Sequence, residues 1–316
     1  MDVGHIEHHV LTSPHLSVSI RSDGAMPQIQ SVGPPPGEST ISPVGAVPNG
    51  GLDAPVPLGI VAEEAAGHAG RPGLVGSRGG GWAWSPRFSL VEQVVDERSA
   101  RYELTDPIAG LELTLELVAD DALTVSTTLR NVGTDGYRVL RLAPSIPVPP
   151  DATELLTFSG RWCRELQVDR SPFEGLRVVE NRRGRTSHHQ APAVIAGTPG
   201  LGEQRGDVWG VQLAWSGNYE LAAEVLVDGR RHLQAGELLV PGEVVVAPGG
   251  SYRAPDVVVA WSPDGLSGMS RAFHRHVRAG LGPLGPRPVI LNTWEAVYFE
   301  HDLPTLRELA DVAAVV

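Results

Sequence analysis

A single cysteine, Cys163, is the only thiol in these 316 residues, so an internal disulfide is excluded and the fold must hold without one. That suits a reducing compartment. Nothing near Cys163 in sequence marks an activated thiolate, and it is expected as a small buried apolar side chain. Aromatic residues make up only 5% of the chain and no basic run interleaves with them, which removes the usual footprint of nucleic-acid binding. The balance of 37 Asp and Glu against 25 Lys and Arg, a net charge of −12, points the same way. No run of about eighteen apolar residues occurs, so no membrane span is expected. The opening Met1-Asp-Val-Gly-His-Ile-Glu-His-His-Val10 is acidic and lacks a basic region followed by an apolar one, so it does not read as a secretory leader. A cytoplasmic location is therefore expected.

Glycine and proline are abundant instead, 37 and 27 residues, about a fifth of the chain where roughly 12% is average. Such a composition implies many turns joining short strands. Periodicity agrees: Leu111, Leu113, Leu115 and Leu117 alternate with Glu112, Thr114 and Glu116, the period of two of a half-buried strand. After Asp120-Asp121, Leu123, Val125, Thr127 and Leu129 repeat it, which predicts an antiparallel hairpin. Trp209, Val211, Leu213 and Trp215 alternate in the same way, followed by a strand from Glu220 to Val227 and a hairpin turn at Asp228-Gly229. Further strands are expected at Leu238 to Val240, Glu243 to Ala247 and Asp256 to Trp261, and a long surface loop at Ser31 to Pro57. The fold class expected is mainly β: a large antiparallel β-sandwich of the supersandwich kind over residues 1–265.

After Trp261 the period changes. Leu266, Met269, Ala272, Phe273 and Val277 fall three and four apart, on one face of a helix closed by Gly280. Arg271, His274, Arg275, His276 and Arg278 form its solvated side. Gly282-Pro-Leu-Gly-Pro286 follows, so residues 266–287 read as a linking helix and rigid linker. Val289-Ile-Leu291 is a short continuous apolar run, as a parallel barrel strand buried on both faces would be. Asp302 or Leu303 then caps a helix with Pro304 in its first turn, whose buried stripe would be Leu306, Leu309, Ala310 and Ala313. That helix carries no glycine cap before Val316. Residues 288–316 are far fewer than the about 250 of a complete (β/α)8 barrel.

The string Pro288-Val-Ile-Leu-Asn-Thr-Trp-Glu-Ala-Val-Tyr-Phe299 resembles the segment Asn-Ser/Asn-Trp-Glu-Ala-Thr-Tyr-Phe that opens the catalytic barrel in α-galactosidases of glycoside hydrolase family 36. Four more segments resemble the family in the same order: Gly160-Arg-Trp-Cys-Arg-Glu165, Arg182-Arg-Gly-Arg-Thr-Ser-His-His-Gln190, Gly206-Asp-Val-Trp-Gly-Val-Gln-Leu-Ala-Trp-Ser-Gly-Asn218 and Gly265-Leu-Ser-Gly-Met-Ser-Arg-Ala-Phe-His274. The resemblance implies a β-sandwich followed by the first strand and helix of a (β/α)8 barrel at 288–316. It implies a retaining glycosidase that removes terminal α-galactose from oligosaccharides such as raffinose or melibiose, with no metal or organic cofactor. Its two catalytic aspartates, on later barrel strands, match nothing here, and the Asp-Asp-Gly-Trp run expected after the first barrel helix is missing too. The chain by itself is therefore expected to be inactive.

Residue by residue, the resemblance gives Trp294 a place in the galactose pocket, its indole stacked on the apolar C–H face of the sugar. Glu295 would stand behind that contact or serve as an ion-pair partner, and Asn292 would share the rim. A homo-oligomer is implied, with the loop from Gly70-Arg-Pro-Gly73 to Trp84 reaching a neighbouring subunit's site. The acidic residue of that loop has no match, and Arg71 or Arg78 is the charge present. Two other readings remain open: a carbohydrate-binding module using Trp82, Trp84 or Trp209 as platform, and a pure oligomerisation domain.

Several tempting motifs carry less. His188 and His189 as strand neighbours would point to opposite faces and could not share one metal. His5, His8 and His9 at a loose terminus offer only adventitious metal binding. Gly79-Gly-Gly-Trp-Ala-Trp84 is glycine-rich but lies between strands, without the helix N-terminus that phosphate loops need; it reads as a loop with exposed aromatics.

Overall fold

The leucine ladder predicted from its period of two is the centre of the largest sheet. In the computed structural model, which describes residues 6–35, 56–282 and 285–315, Leu111, Leu113, Leu115 and Leu117 are completely buried. Across the hairpin, Leu111–Ala119 pairs antiparallel with Leu123–Asn131. The outward positions are used as well: Glu112 lies opposite Arg130 and accepts from its Nη1 at 2.9 Å, and Glu116 lies opposite Arg101. These exposed pairs contribute well under 1 kcal/mol each, and the leucines decide the register.

That hairpin belongs to a ten-stranded antiparallel sheet. On its main path the order is Arg164–Pro172, Glu154–Arg161, Ala193–Gly197, Val208–Leu213, Val257–Ser262, Leu123–Asn131, Leu111–Ala119, Ser99–Asp106 and Ser89–Val95. A four-stranded sheet, in the order Ser145–Val148, Arg231–Glu237, Tyr219–Val225 and Leu176–Asn181, packs against it around Val208–Leu213. Two three-stranded sheets complete the described strands: Glu7–Thr12, Ser17–Ser22 and Gln28–Gly33, then Val244–Val246, Tyr137–Leu142 and Leu74–Ser77. One continuous core fills the space between them and includes Trp209, Tyr102, Tyr137 and Tyr219. The mainly β architecture read from the sequence is what the chain adopts.

The helix expected after Trp261 is α1, Gly265–Ala279. Met269 and Ala272 are buried in a second core with Leu156, Ile195, Val208, Val258 and Ala260, on the sheet face away from the main core. Val208–Leu213 is therefore covered on both sides and does not alternate between core and solvent. A Cβ at Gly210 would run into Met269 Sδ, so glycine sets how closely α1 lies on the sheet. Val277, expected on the buried face, is exposed.

Chain contacts divide the molecule into two units, Met1–His276 and Val277–Val316. In the second, Asp302 caps α3 (Leu303–Ala313), its carboxylate accepting from Thr305 N at 2.9 Å with Pro304 in the first turn. The stripe expected to be buried is not: no residue of α3 is buried. Residues 288–293 form no ladder either, and Val289 is fully exposed. A parallel strand takes its backbone partners from both neighbours, and among the described residues no strand lies beside this segment.

Other expectations are corrected. Cys163 is exposed, not buried, because it sits at φ 59° in the tight turn between Glu154–Arg161 and Arg164–Pro172. Leu238 to Val240 is irregular; the second hairpin arm is Arg231–Glu237, which starts after Gly229-Arg230. Ser31–Gly33 belongs to a strand, while 36–55 of the expected loop lie outside the described residues. His188 and His189 occupy a turn with their rings 4.6 Å apart, not a strand, and His8 and His9 lie within the strand Glu7–Thr12.

A buried carboxyl makes the sandwich pH-sensitive. Glu63 Oε1 accepts from Phe88 N at 2.6 Å. Burial nevertheless pushes its pKa up to about 7, outweighing the Phe88 bond and nearby Arg87. A raised carboxyl pKa means that the folded state prefers the proton, so this stability is complete below the unfolded value near 4.5 and is lost as pH rises through about 7. Glu63→Gln should therefore gain about 2–3 kcal/mol relative to the parent between pH 5 and pH 8. Urea titrations at the two pH values measure it, and an unchanged difference would show Glu63 to be solvated.

Candidate functional site

Unit 2 presents an aromatic face at the turn from extended chain into α2, Trp294–Val297. Asn292 Oδ1 accepts from the Trp294 backbone N at 2.9 Å, fixing that turn where Thr293 offers no side-chain cap. Trp294 is half exposed and meets Tyr298 and Phe299 edge-on, with ring centroids 5.8 and 5.1 Å away. Tyr298 takes φ 47°, a left-handed conformation unusual for a bulky residue, where the chain doubles back toward the indole. Glu295 is exposed in the first turn of α2. An aromatic face flanked by an amide and a carboxylate can stack on apolar C–H groups and take hydroxyls at its edge. Of the predicted residues, the structure brings Asn292 and Trp294 into direct contact and adds Tyr298 and Phe299, which the motif contained but the reading did not single out.

Arg71 lies in unit 1. Its guanidinium pairs with Glu220, and its backbone N donates to Glu224 Oε2 at 2.8 Å. Behind it, Arg141 is almost wholly buried, with Nε 3.1 Å from Glu220 Oε1, Nη1 donating to Pro72 O at 2.7 Å and Nη2 to Gln234 Oε1 at 2.8 Å. Burial lowers the Arg141 pKa to about 10 against the pull of Glu220, so it stays charged at neutral pH. Next to this network, His232 Nε2 stands 3.2 Å from Glu224 Oε2, and the His68 ring meets His232 edge-on at 5.9 Å. Burial is the main cause that lowers His68 to about 4 and also lowers His232. Burial works to raise Glu224 too, but its bonds from His232 and Arg71 N prevail and hold it low.

Sequence reasoning missed this polar cluster, although it left a trace. Glu220 and Glu224 lie four apart on one strand face, and His232 and Gln234 two apart on the neighbouring strand, polar residues at buried or half-buried positions.

Trp82 and Trp84, 76% and 60% exposed, line an open depression of about 520 Å³ with Gly80 and Gly81. Trp209 cannot serve as a platform, because it is buried and its Nε1 donates to Val32 O at 2.7 Å.

Residues 49–247 match the description "Glycosyl hydrolase family 36 N-terminal domain", and residues 251–316 match "Melibiase". The chain belongs to glycosyl hydrolase family 36. Among its relatives, the α-galactosidase of Escherichia coli is 42% identical over 274 residues, 85% of this chain and 39% of that one. The α-galactosidase AgaA of Geobacillus stearothermophilus is 30% identical over 235 residues, 72% of this chain and 32% of its own. The fold follows the same family: AgaA solved in complex with stachyose superposes with a TM-score of 0.85 at 22% identity, covering 98% of this chain and 48% of that one. The chain thus spans less than half the length of these relatives.

Proposed function

We propose that these residues are the scaffold half of a retaining α-galactosidase that removes terminal α-galactose from oligosaccharides. Residues 1–265 form the sandwich, 266–287 the link, and 288–316 the opening of the catalytic barrel. The observation that carries this reading is the 42% identity with the Escherichia coli α-galactosidase over 85% of the chain; the melibiase match at 251–316 takes in the exposed Asn292–Trp294 turn. Solved complexes of AgaA with stachyose and with raffinose support the substrate class. Trp294 forms one wall of the galactose pocket, with Asn292 at its rim and Glu295 behind the contact or serving as an ion-pair partner. Arg71 has a lesser role near a neighbouring subunit's site, held in place by Glu220. The two carboxylic acids of the reaction belong to barrel strands that these residues do not include, and neither metal nor organic cofactor takes part in the hydrolysis.

Homo-oligomerisation through the sandwich belongs to the same reading, and sedimentation equilibrium reads it directly. Cytoplasmic residence rests on the single cysteine and is tested by cell fractionation.

The gene past codon 316 tests the catalytic half. An Asp-Asp-Gly-Trp run is expected within about fifteen codons, ahead of the remaining strands of a barrel of about 250 residues. In the enzyme so encoded, Trp294→Ala should lower kcat/KM at least about tenfold, the equivalent of 1.4 kcal/mol of lost stacking. An in-frame stop in place of that run would contradict the reading.

A further inference from the structure

We infer that His68, Glu224 and His232 form a metal site for a zinc-like divalent cation, an inference that does not depend on the proposed hydrolase function. One ligand atom from each residue lies within 4.8 Å of the other two. Glu224 and His232 face each other directly across the hairpin Tyr219–Val225 and Arg231–Glu237, and His68 comes from the loop after the short helix Glu64–Ala66. Two imidazoles and a carboxylate are the donor set of three-ligand zinc sites.

Three observations point to a cation here and not to a self-contained hydrogen-bond cluster. First, His68 is 7% exposed, yet its Nε2, the atom turned toward the cluster, is buried without any hydrogen-bond partner. Buried polar atoms seldom stay orphaned, because each costs about 1–3 kcal/mol. Second, no side chain intervenes between the loop and the ligands. A Cβ on Gly70 would stand 2.6 Å from Leu226 Cδ2, 2.7 Å from Glu224 Oε2 and 2.8 Å from His68 Nε2, so only glycine lets the loop bring His68 this close to the hairpin. Ala69 and Gly70 lie at or near the surface, which gives an entry path.

Third, the charges are uneven. Glu220 is paired with Arg71 and Arg141, and Asp228 with Arg230. Glu224 alone among these three carboxylates has no arginine side chain on it among the described residues; it accepts only from the Arg71 backbone and stands against His232. A cation would neutralise it. Tetrahedral ligation at about 2.0–2.2 Å needs ligand atoms roughly 3.3–3.6 Å apart. The 3.2 Å between His232 Nε2 and Glu224 Oε2 is already close to that, and His68, on a loop, has the freedom to close the rest. The cation would clip that loop to the hairpin, adding its binding energy to the stability of the fold.

The test uses the 316-residue chain, stripped with chelator and titrated with Zn²⁺ alone. One equivalent should bind by calorimetry and elemental analysis and raise the unfolding temperature. Cobalt substitution should give the visible spectrum of a tetrahedral site. His68→Ala and Glu224→Gln should each weaken zinc binding at least about 100-fold and abolish the cobalt spectrum, whereas His8→Ala/His9→Ala should bind as the parent does. Circular dichroism of Glu224→Gln, which keeps its hydrogen-bond acceptor, separates loss of the site from loss of the fold. Absence of stoichiometric zinc, or binding that survives His68→Ala but disappears with His8 and His9, would overturn the assignment.

Discussion

Arg78→Met will destabilise the sandwich by about 3–5 kcal/mol, read as a lower urea midpoint with an unchanged slope. Only 10% of this side chain is exposed, and its guanidinium is spent on oxygens. Nε and Nη2 both donate to Ala109 O, at 2.9 and 2.8 Å; Nη2 also reaches Gly110 O and Asn131 Oδ1, and Nη1 reaches Asp135 O and Oδ1. A hydrogen bond from a charged donor is worth about 1.5–3 kcal/mol, and Ala109 O loses both of these donors at once. The ion pair is not the main term. Asp135 is 56% exposed, so Asp135→Asn should cost well under 1 kcal/mol.

Lysine cannot substitute. Its ammonium has three donors at one point, whereas Arg78 bridges segments 109–110 and 131–135 with a planar fork. The surroundings are built around that fork: a Cβ on Gly133 would run into the guanidinium, and one on Gly110 would stand 3.0 Å from Nη2. Arg78→Lys should therefore lose most of what Arg78→Met loses. A stability within about 1 kcal/mol of the parent for either variant would mean that the guanidinium points to solvent, as an arm for a neighbouring subunit's sugar would.

That contrast shows where the sequence was readable. The hairpin Leu111–Ala119 with Leu123–Asn131 was legible because the code is local: period two puts one face in the core wherever the strand lies. Asp302 and Pro304 marked the start of α3 for the same reason, since a cap needs only residues a turn away. Arg78 was visible only as a charge near glycines, because its acceptors come from 31 to 57 positions downstream. The His68, Glu224 and His232 cluster was hidden likewise, one member being a loop residue more than 150 positions from the others. Cys163 was misjudged because a residue type's average burial says nothing about a particular turn.

The candidate sugar site is the mixed case. The string around Trp294 was recognisable, and the contact between Asn292 and Trp294 is short-range. The strand leading to it depends on backbone partners from neighbours. Local pattern predicted the apolar run at Val289 to Leu291, but a ladder requires a second chain segment beside it.

The second large effect concerns catalysis. A retaining glycosidase needs two carboxyl groups about 5–5.5 Å apart, one to attack the anomeric carbon and one to protonate the leaving oxygen. The face built by Asn292, Trp294, Tyr298 and Phe299 offers a stacking surface and one adjacent carboxylate, Glu295. Half of a site gives little of a concerted reaction, because attack without protonation leaves the departing alkoxide unstabilised. Enzymes speed such reactions by at least about 10⁶-fold, and that whole factor should be missing.

The decisive measurement is the rate at which the purified 316-residue chain releases galactose from raffinose, whose leaving group is a sugar alkoxide. The scaffold reading predicts release indistinguishable from buffer, with no change on adding Zn²⁺ and no effect of Trp294→Ala. Turnover on the order of 1 s⁻¹ or faster, copurifying with the chain, would contradict it and place a complete active centre within these residues.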